Sequence, residues 1–125
     1  MLTEGASTHP PWATVGLEVL QSSDFHGGQL NRSGLYVVCY AAEWCPVTRR
    51  FMPRFSALRA TVHATLAIAD ITDLESPLWD DFQIRITPSI IVFNDGKVLQ
   101  RVDGKRFIGI TAGRLSVLER SIPSP

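Results

Sequence analysis

The most constraining feature of this sequence is a continuous apolar run, LYVVCYAA, from Leu35 to Ala42. It is too short for a typical independent helix, and its valine and tyrosine residues favour a strand that is covered on both faces. The run ends at Glu43, and from Phe51 to Val62 apolar residues recur at steps of three and four, as an amphipathic helix requires. Pro46 suits the first position of that helix, whereas Pro53 lies inside it and predicts a kink.

Strand and helix patterns alternate along the rest of the chain. The turn-forming cluster Asn94-Asp95-Gly96 joins the last two strand patterns and predicts an antiparallel hairpin. Early parallel crossovers and a late hairpin predict an α/β fold, in which a mixed central sheet carries helices on both faces. The other predicted elements are a strand at Val15 to Leu20, a short helix that begins near Ser22 and carries Phe25 and Leu30, a strand at Leu66 to Ile71, a short helix at Ser76 to Phe82, strands at Ile90 to Phe93 and Lys97 to Val102, and a final helix at Thr111 to Ile122.

Length and charge exclude several classes of protein. The 125 residues suffice for about one domain, which we assign to residues 14–123, and residues 1–13 show no periodicity and predict a flexible or extended lead-in. Lys and Arg (12) balance Asp and Glu (12), so the basic footprint that nucleic-acid binding leaves is missing. The sequence shows neither a basic leader nor an apolar run of the ~18 residues that a membrane span needs. We therefore expect a cytoplasmic protein that binds neither nucleic acid nor membranes.

Two cysteines, Cys39 and Cys45, are too few for the disulfide framework of a small secreted fold, and no further cysteine completes a zinc half-site. The histidines lack the spacing of metal ligands, and the aspartates lack a loop template for a cation. The sequence therefore predicts a reducing compartment, no metal and no cofactor.

Cys45 is the first candidate nucleophile because it stands where the central strand gives way to a helix. The unpaired N–H groups and the positive dipole end of a helix start favour a thiolate over a thiol, so we expect a lowered pKa. Arg49 and Arg50 follow within the first turn and a half of this helix. Either they add to the positive potential at Cys45, or they are simply solvated residues on the helix surface. The alternative is that Cys45 is only a small buried residue.

The segment VCYAAEWCPVTRRFMP, Val38 to Pro53, resembles the active-site strand and helix of thioredoxins. Their pattern is an apolar strand, Ala-Glu-Trp-Cys-x-x-Cys and a proline eight residues beyond the first cysteine. Further along, Ile86 to Ser89 followed by IIVFNDGKV is similar to the Ile-Pro-Thr segment and hairpin of the family, and Gly96 and Gly104 keep the spacing of its two hairpin glycines. Phe25 falls where thioredoxins carry a phenylalanine in the first helix. The resemblance covers residues 15–122 and implies a thioredoxin-like fold.

What the resemblance implies about the site centres on Pro88. The matching proline of thioredoxins is cis and faces the reactive cysteine, where it helps to form a groove for an extended peptide segment. Carried onto this sequence, the groove around Cys45 consists of Trp44, Pro46, Thr87, Pro88 and Gly104. The alternative for Pro88 is a proline that only opens a strand.

This sequence departs from the thioredoxin pattern in two places. Thr48 stands at the position of the second cysteine, which gives Cys-x-x-Thr; it cannot resolve a mixed disulfide, but its hydroxyl can donate a hydrogen bond to a thiolate. Cys39 stands where thioredoxins carry a buried aspartate that accepts a proton from the second cysteine. The two changes are mutually consistent, since without the second thiol that carboxylate has no partner. Six extended residues separate Cys39 from Cys45, too far for an internal disulfide.

Two functions fit these observations. The first is a monothiol thioredoxin-like oxidoreductase, in which Cys45 attacks a protein disulfide or glutathionylated thiol and an external thiol such as glutathione, as co-substrate, completes the exchange. The second is a redox-inactive thioredoxin-fold binding module that holds an extended partner segment beside cis-Pro88. The retained Glu43-Trp44-Cys45 sequence favours the enzyme, whereas the loss of the second thiol and of the acid favours the binding module.

Overall fold

The central sheet of the chain contains five strands in a computed structural model that describes residues 17–123. Strand order across this sheet is β1-β5-β4-β6-β7, where β1, β5 and β4 pair in parallel and β6 and β7 are antiparallel. The elements along the chain are β1 (Glu18–Leu20), β2 (Phe25–His26), β3 (Gln29–Leu30), β4 (Leu35–Ala41), α1 (Pro46–Ala57), β5 (Thr65–Asp70), α2 (Leu78–Asp81), β6 (Ser89–Asn94), β7 (Lys97–Asp103) and α3 (Ala112–Ser121). The predicted mixed α/β sheet is confirmed.

The apolar run that begins at Leu35 forms β4, the middle strand. It lies between β5 and β6, and its side chains alternate between two cores. On one face, α1 and α3 cover Val37 and Cys39. On the other face, an aromatic cluster around Tyr40 includes Phe25, Phe82 and Phe93, with ring centroids 5.3–6.2 Å apart. Full burial of each such aromatic side chain stabilises the fold by roughly 1.5–3 kcal/mol.

The predicted first helix is wrong. Ser22–Asp24 forms a single 3₁₀ turn, and the chain then enters the hairpin β2–β3, in which Phe25 pairs with Leu30. Gly27 and Gly28 have φ angles of +59° and +77° at the tip of this hairpin. A two-residue hairpin turn requires this conformation, and glycine adopts it without strain. The two adjacent glycines therefore favour a turn where capping residues alone suggested a helix, and Phe25 lies in a strand.

The later elements follow the prediction closely. Pro46 is the first residue of α1, Pro53 lies inside this helix, and Thr111 caps α3 by accepting a hydrogen bond from the Arg114 N–H at 3.3 Å. The helix predicted from Ser76 contains only the four residues of α2. The predicted lead-in, residues 1–13, lies outside the described residues.

Within residues 17–123, no helix is long and apolar enough to cross a membrane. The same part of the chain contains no group of three or more His, Cys, Asp or Glu side chains arranged to hold a metal ion.

Candidate active site

Cys45 is the N-cap residue of α1, with extended backbone angles (φ −94°, ψ 112°). The Cys45 N–H donates to the Ala42 carbonyl at 3.1 Å, so the turn between β4 and α1 is short and fixed. A cap in this position faces the free N–H groups of the first helical turn and the positive end of the helix dipole. The Cys45 side chain is only partly buried and opens onto the surface.

The environment of Cys45 favours the thiolate. Partial burial raises the pKa of its thiol, but hydrogen bonds from the side chains of Thr48 and Thr87 and from the N–H groups of Thr48 and Val47 lower it by more. The net result is a pKa below the ordinary value of a cysteine. The exposed side chains of Arg49 and Arg50 are not among the causes.

Thr48 lies in the first turn of α1 and is completely buried. Its Oγ1 atom has no hydrogen-bond partner among the described residues while Cys45 is a thiol. In that form the Cys45 Sγ atom points at the Thr87 carbonyl oxygen, 3.7 Å away. Loss of the thiol proton makes Sγ an acceptor, and the Thr48 hydroxyl then has a charged partner to which it can donate.

The segment before β6 forms the opposite wall of the site. The peptide bond between Thr87 and Pro88 is cis, and Pro88 is buried. Ser89 holds this segment in place, because its hydroxyl donates to the Ile86 carbonyl at 2.7 Å and accepts from the Gly104 N–H at 3.3 Å. A Cβ atom at Gly104 would overlap the Pro88 carbonyl oxygen, so this position at the end of β7 requires glycine.

Two stacked indoles form the third side of the site. The rings of Trp44 and Trp79 lie 6.2 Å apart and nearly parallel, at 12°. Trp44 Nε1 donates to the Thr72 carbonyl at 2.9 Å, and the Thr72 hydroxyl accepts from the Glu43 N–H at 3.0 Å. Thr72 follows β5, so the carboxyl ends of two neighbouring parallel strands are tied together at this point, as expected for the functional edge of such a sheet.

Between these walls lies a groove of about 450 Å³, which we call the Cys45 groove. Its lining is mostly apolar and comes from four segments: the start of α1, the loop after β5 together with α2, the segment before β6, and the loop after β7. Lining residues include Trp44, Cys45, Leu74, Trp79, Thr87 and Phe107.

Comparisons with known proteins agree with this geometry. The Thioredoxin family model matches residues 16–111. The chain belongs to the thioredoxin family. Over 73 residues it is 33% identical to the thioredoxin of Chlamydia trachomatis, an alignment that covers 58% of this chain and 71% of that one. A thioredoxin domain-containing protein of Theileria parva is 29% identical over 77 residues, which are 61% of this chain and 35% of that protein.

Solved thioredoxin structures share the fold. Mitochondrial thioredoxin 3 from Saccharomyces cerevisiae superposes with a TM-score of 0.67 at 16% identity, over 89% of this chain and 98% of that one. Thioredoxin f2 from Chlamydomonas reinhardtii gives the same TM-score and identity, over 87% of this chain and 100% of that one. At this level of identity the match supports the fold alone.

The structure brings most of the residues predicted from the thioredoxin resemblance to one place. Trp44, Pro46 and Thr87 line the Cys45 groove together with Cys45. Pro88 and Gly104 are buried beneath it, and they shape the wall without forming its surface.

Cys39 is separated from this group. It is completely buried on β4 in the core under α1, and both cysteines are free. Burial raises the pKa of its thiol well above the ordinary value. A buried neutral thiol neither resolves a mixed disulfide nor accepts a proton, so Cys39 contributes packing only.

Sequence reasoning missed several residues of the Cys45 groove. Trp79 and Leu74 reach it from the segment after β5, and Phe107 from the loop after β7. Gly109 has φ +77°, and a Cβ atom there would collide with Val47 and would lie 3.6 Å from Pro88 Cδ. A signal for this loop was available, since Gly104 and Gly109 bracket it in the sequence.

Thiol–disulfide redox chemistry is therefore the general function of this thioredoxin-family chain, and its substrates are, at the same general level, protein thiols and disulfides. The candidate nucleophile for this chemistry is Cys45, the partly exposed cysteine of the site. It differs from the dithiol pattern at Thr48, and that difference determines the mechanism proposed below.

Proposed function

We propose that this chain is a monothiol disulfide oxidoreductase whose nucleophile is Cys45 and whose mixed disulfide is resolved by an external thiol such as glutathione. The observation that carries the proposal is the pairing of a lowered Cys45 pKa with a buried Thr48 hydroxyl at the place of the second thiol. A thiolate is the reactive form in thiol–disulfide exchange. Thr48 stabilises that form but has no sulfur with which to expel a product.

The proposed exchange has four balanced steps. The Cys45 thiolate attacks one sulfur of a substrate disulfide, forms a mixed disulfide with it, and releases the other sulfur as a thiolate. A glutathione thiolate then attacks the substrate sulfur, which restores the Cys45 thiolate and leaves the substrate glutathionylated. In the third step the Cys45 thiolate attacks the glutathione sulfur of this disulfide and releases the substrate thiolate. In the fourth step a second glutathione thiolate attacks that glutathione sulfur, which restores the Cys45 thiolate and gives glutathione disulfide. In sum, one substrate disulfide and two glutathiones give two substrate thiols and one glutathione disulfide.

The same groove supports a second function, that of a protein-binding module. The observation that favours it is the exposure of large apolar side chains around Cys45: Trp44 is 50% exposed, Leu74 72% and Phe107 82%. Exposed apolar groups of this size are typical of a surface that a partner covers. In this alternative an extended partner segment lies beside Thr87 and cis-Pro88, and Cys45 does not turn over.

The pH dependence of Cys45 alkylation, followed by intact mass, tests the monothiol proposal. We expect the midpoint of the alkylation rate to lie below the ordinary pKa of a thiol. Glutathione-coupled reduction of a protein disulfide should be lost in Cys45→Ser and retained in Cys39→Ser. An ordinary midpoint together with activity no greater than that of Cys45→Ser would refute the enzyme.

Capture of partners separates the two functions. If Cys45 forms mixed disulfides, partners bound to the wild type are released by reductant and are absent from Cys45→Ser. If the groove is only a binding site, Cys45→Ser retains the same partners and reductant does not release them.

A further inference from the structure

The charged residues that line the Cys45 groove are both positive. Arg85, which precedes Ile86 and Thr87, and Arg106, in the loop after β7, both contribute to the lining, and no carboxylate among the described residues does so. Asp73 and Glu75 flank Leu74 in the chain, but neither lines the groove. A groove with two guanidinium groups and no acid is complementary to an anionic segment.

The loop after β7 adds an apolar group beside these charges. Hydrogen bonds in both directions close it at its base: the Lys105 N–H donates to the Gly109 carbonyl at 2.9 Å, and the Gly109 N–H donates to the Lys105 carbonyl at 2.7 Å. Phe107, at the tip, has φ +66°, the left-handed region that bulky residues rarely adopt. The loop therefore holds an aromatic side chain out in water, and no other residue of the described part of the chain covers it.

The two apolar residues of this loop face different ways. Phe107 lines the Cys45 groove together with Trp44 and Leu74. Ile108, its neighbour, is 60% exposed but lines a separate depression with Val47 and Arg50. Only one of these two exposed side chains is thus placed to contact a segment lying beside Cys45.

We propose that the Cys45 groove selects a protein segment in which a bulky apolar residue neighbours the reacting cysteine and acidic residues lie close by. Phe107, Trp44 and Leu74 contact the apolar side chain, and Arg85 and Arg106 attract the carboxylates. This inference rests on the proposed function for its covalent step, whereas the recognition itself needs no reaction. It names the class of substrate that the oxidoreductase prefers.

Charge and apolar contact contribute differently to this selection. Exposed charges around a groove mainly raise the rate of encounter and reject segments of like charge, and their effect weakens with salt. Burial of an aromatic side chain against Phe107 contributes affinity that salt does not screen. We therefore expect a preference for acidic segments that falls as ionic strength rises, together with a preference for an aromatic residue that persists.

Binding of synthetic peptides to the Cys45→Ser variant tests the recognition without the chemistry. The probe is a heptapeptide with a central serine in place of cysteine, a phenylalanine beside it and glutamates at both ends, titrated by NMR. Comparison peptides carry lysine for glutamate or serine for phenylalanine. We expect the acidic peptide to bind ~10-fold more tightly than the lysine peptide at low salt, and Arg85→Gln/Arg106→Gln to bring this ratio close to one.

The chain offers matched control variants for both substitutions. Arg120→Gln removes an exposed arginine outside the groove and should leave the charge ratio intact. Phe107→Ala should weaken binding of the phenylalanine peptide several-fold, and Ile108→Ala should not. Equal affinity for acidic and basic peptides, or equal effects of Phe107→Ala and Ile108→Ala, would overturn the inference.

The reaction of wild-type Cys45 with a small neutral disulfide is measured separately, and its absence would count against the proposed function alone.

Discussion

At the scale of single residues, Thr48 combines complete burial with a hydroxyl that has no hydrogen-bond partner within residues 17–123. Leaving such a group unsatisfied costs roughly 1–3 kcal/mol. A valine of the same shape would avoid this cost, so the hydroxyl is best explained by a partner that exists only in one state of the site. The partner we propose is the Cys45 thiolate, since a hydrogen bond to an ion is about twice as strong as one to a neutral group.

Thr48→Val should therefore separate reactivity from stability. Loss of the hydroxyl raises the pKa of Cys45 and lowers the thiolate fraction, and at pH 6–7 we expect alkylation to slow by roughly threefold to tenfold. At a pH low enough to keep Cys45 a thiol in the folded state, the free energy of unfolding in urea should stay the same or increase, because a buried unpaired group has been removed. Thr61→Val, at an exposed threonine after α1, is the control and should not change the alkylation rate. A rate unchanged in Thr48→Val would show that Thr48 does not reach the sulfur.

At the scale of secondary-structure elements, the site depends on where α1 begins and on how closely β7 approaches the segment before β6. The first feature places residues 45 and 48 one turn apart on the same side of the helix start. For helical geometry this gives a Cα separation of about 5 Å, within the range of about 4.4–6.8 Å that a disulfide needs.

Thr48→Cys should accordingly form a disulfide with Cys45 under mild oxidant and give dithiol reductase activity. We expect this activity to be slow, because Cys39 supplies no proton acceptor. Arg50→Cys is the matched control: five residues from Cys45, at a Cα distance of about 8.7 Å on a regular helix, it should remain reduced. Thiol counting after oxidation gives the answer, and a fully reduced Thr48→Cys protein would place the start of α1 elsewhere.

Gly104 tests the contact between β7 and the segment that carries Pro88. Gly104→Ala places a methyl group on the Pro88 carbonyl oxygen, which is backbone and yields little, so we expect a loss of about 1–3 kcal/mol in the free energy of unfolding. Gly113→Ala, in α3 with open space around it, should instead be neutral or stabilising by up to about 1 kcal/mol. Urea denaturation of the two variants should give opposite signs, and a similar small effect for both would argue against the close approach.

At the scale of the whole molecule, the two cysteines link stability to pH in opposite directions. Cys45 has a lowered pKa in the folded state, and Cys39 has a raised one. An unfolded chain gives both thiols an ordinary value near 8.5. Between the folded pKa of Cys45 and this ordinary value, the unfolded state binds more protons at position 45, so stability rises with pH.

The free energy of unfolding of the wild type relative to Cys45→Ser should therefore increase from pH 6 towards pH 8.5 and then level off. Cys39 behaves in the opposite way: above about pH 8.5 the unfolded chain ionises a thiol that the folded core keeps neutral, so stability falls with rising pH. Cys39→Ala should remove that fall, apart from a constant loss due to the cavity. Urea denaturation between pH 6 and 10 under reducing conditions measures both slopes. A difference between wild type and Cys45→Ser that decreases between pH 6 and 8.5 would contradict the lowered pKa.

Local sequence patterns were sufficient to predict much of the fold and part of the candidate site. Three features depend only on residues that are close together in the chain, and the sequence therefore predicted them correctly. They are the apolar run of β4, the proline at the first position of α1 and the Asn-Asp-Gly turn between β6 and β7. The hairpin β2–β3 was missed because Ser22 to Asp24 cap a helix as readily as a 3₁₀ turn. Burial of Phe25 in the aromatic cluster, a non-local contact, favours the strand there.

What the sequence determined by itself was the candidate nucleophile: a cysteine between a buried strand and a helix start, followed three residues later by threonine. This arrangement is local, so spacing and the peptide dipoles of one helix are enough to specify it. Only the tertiary structure decided what lies opposite that sulfur. Arg85, Phe107, Leu74 and Trp79 reach the groove from segments 29 to 62 residues away along the chain. Sheet order and loop direction bring such residues together, and neither is encoded in the spacing of any single segment.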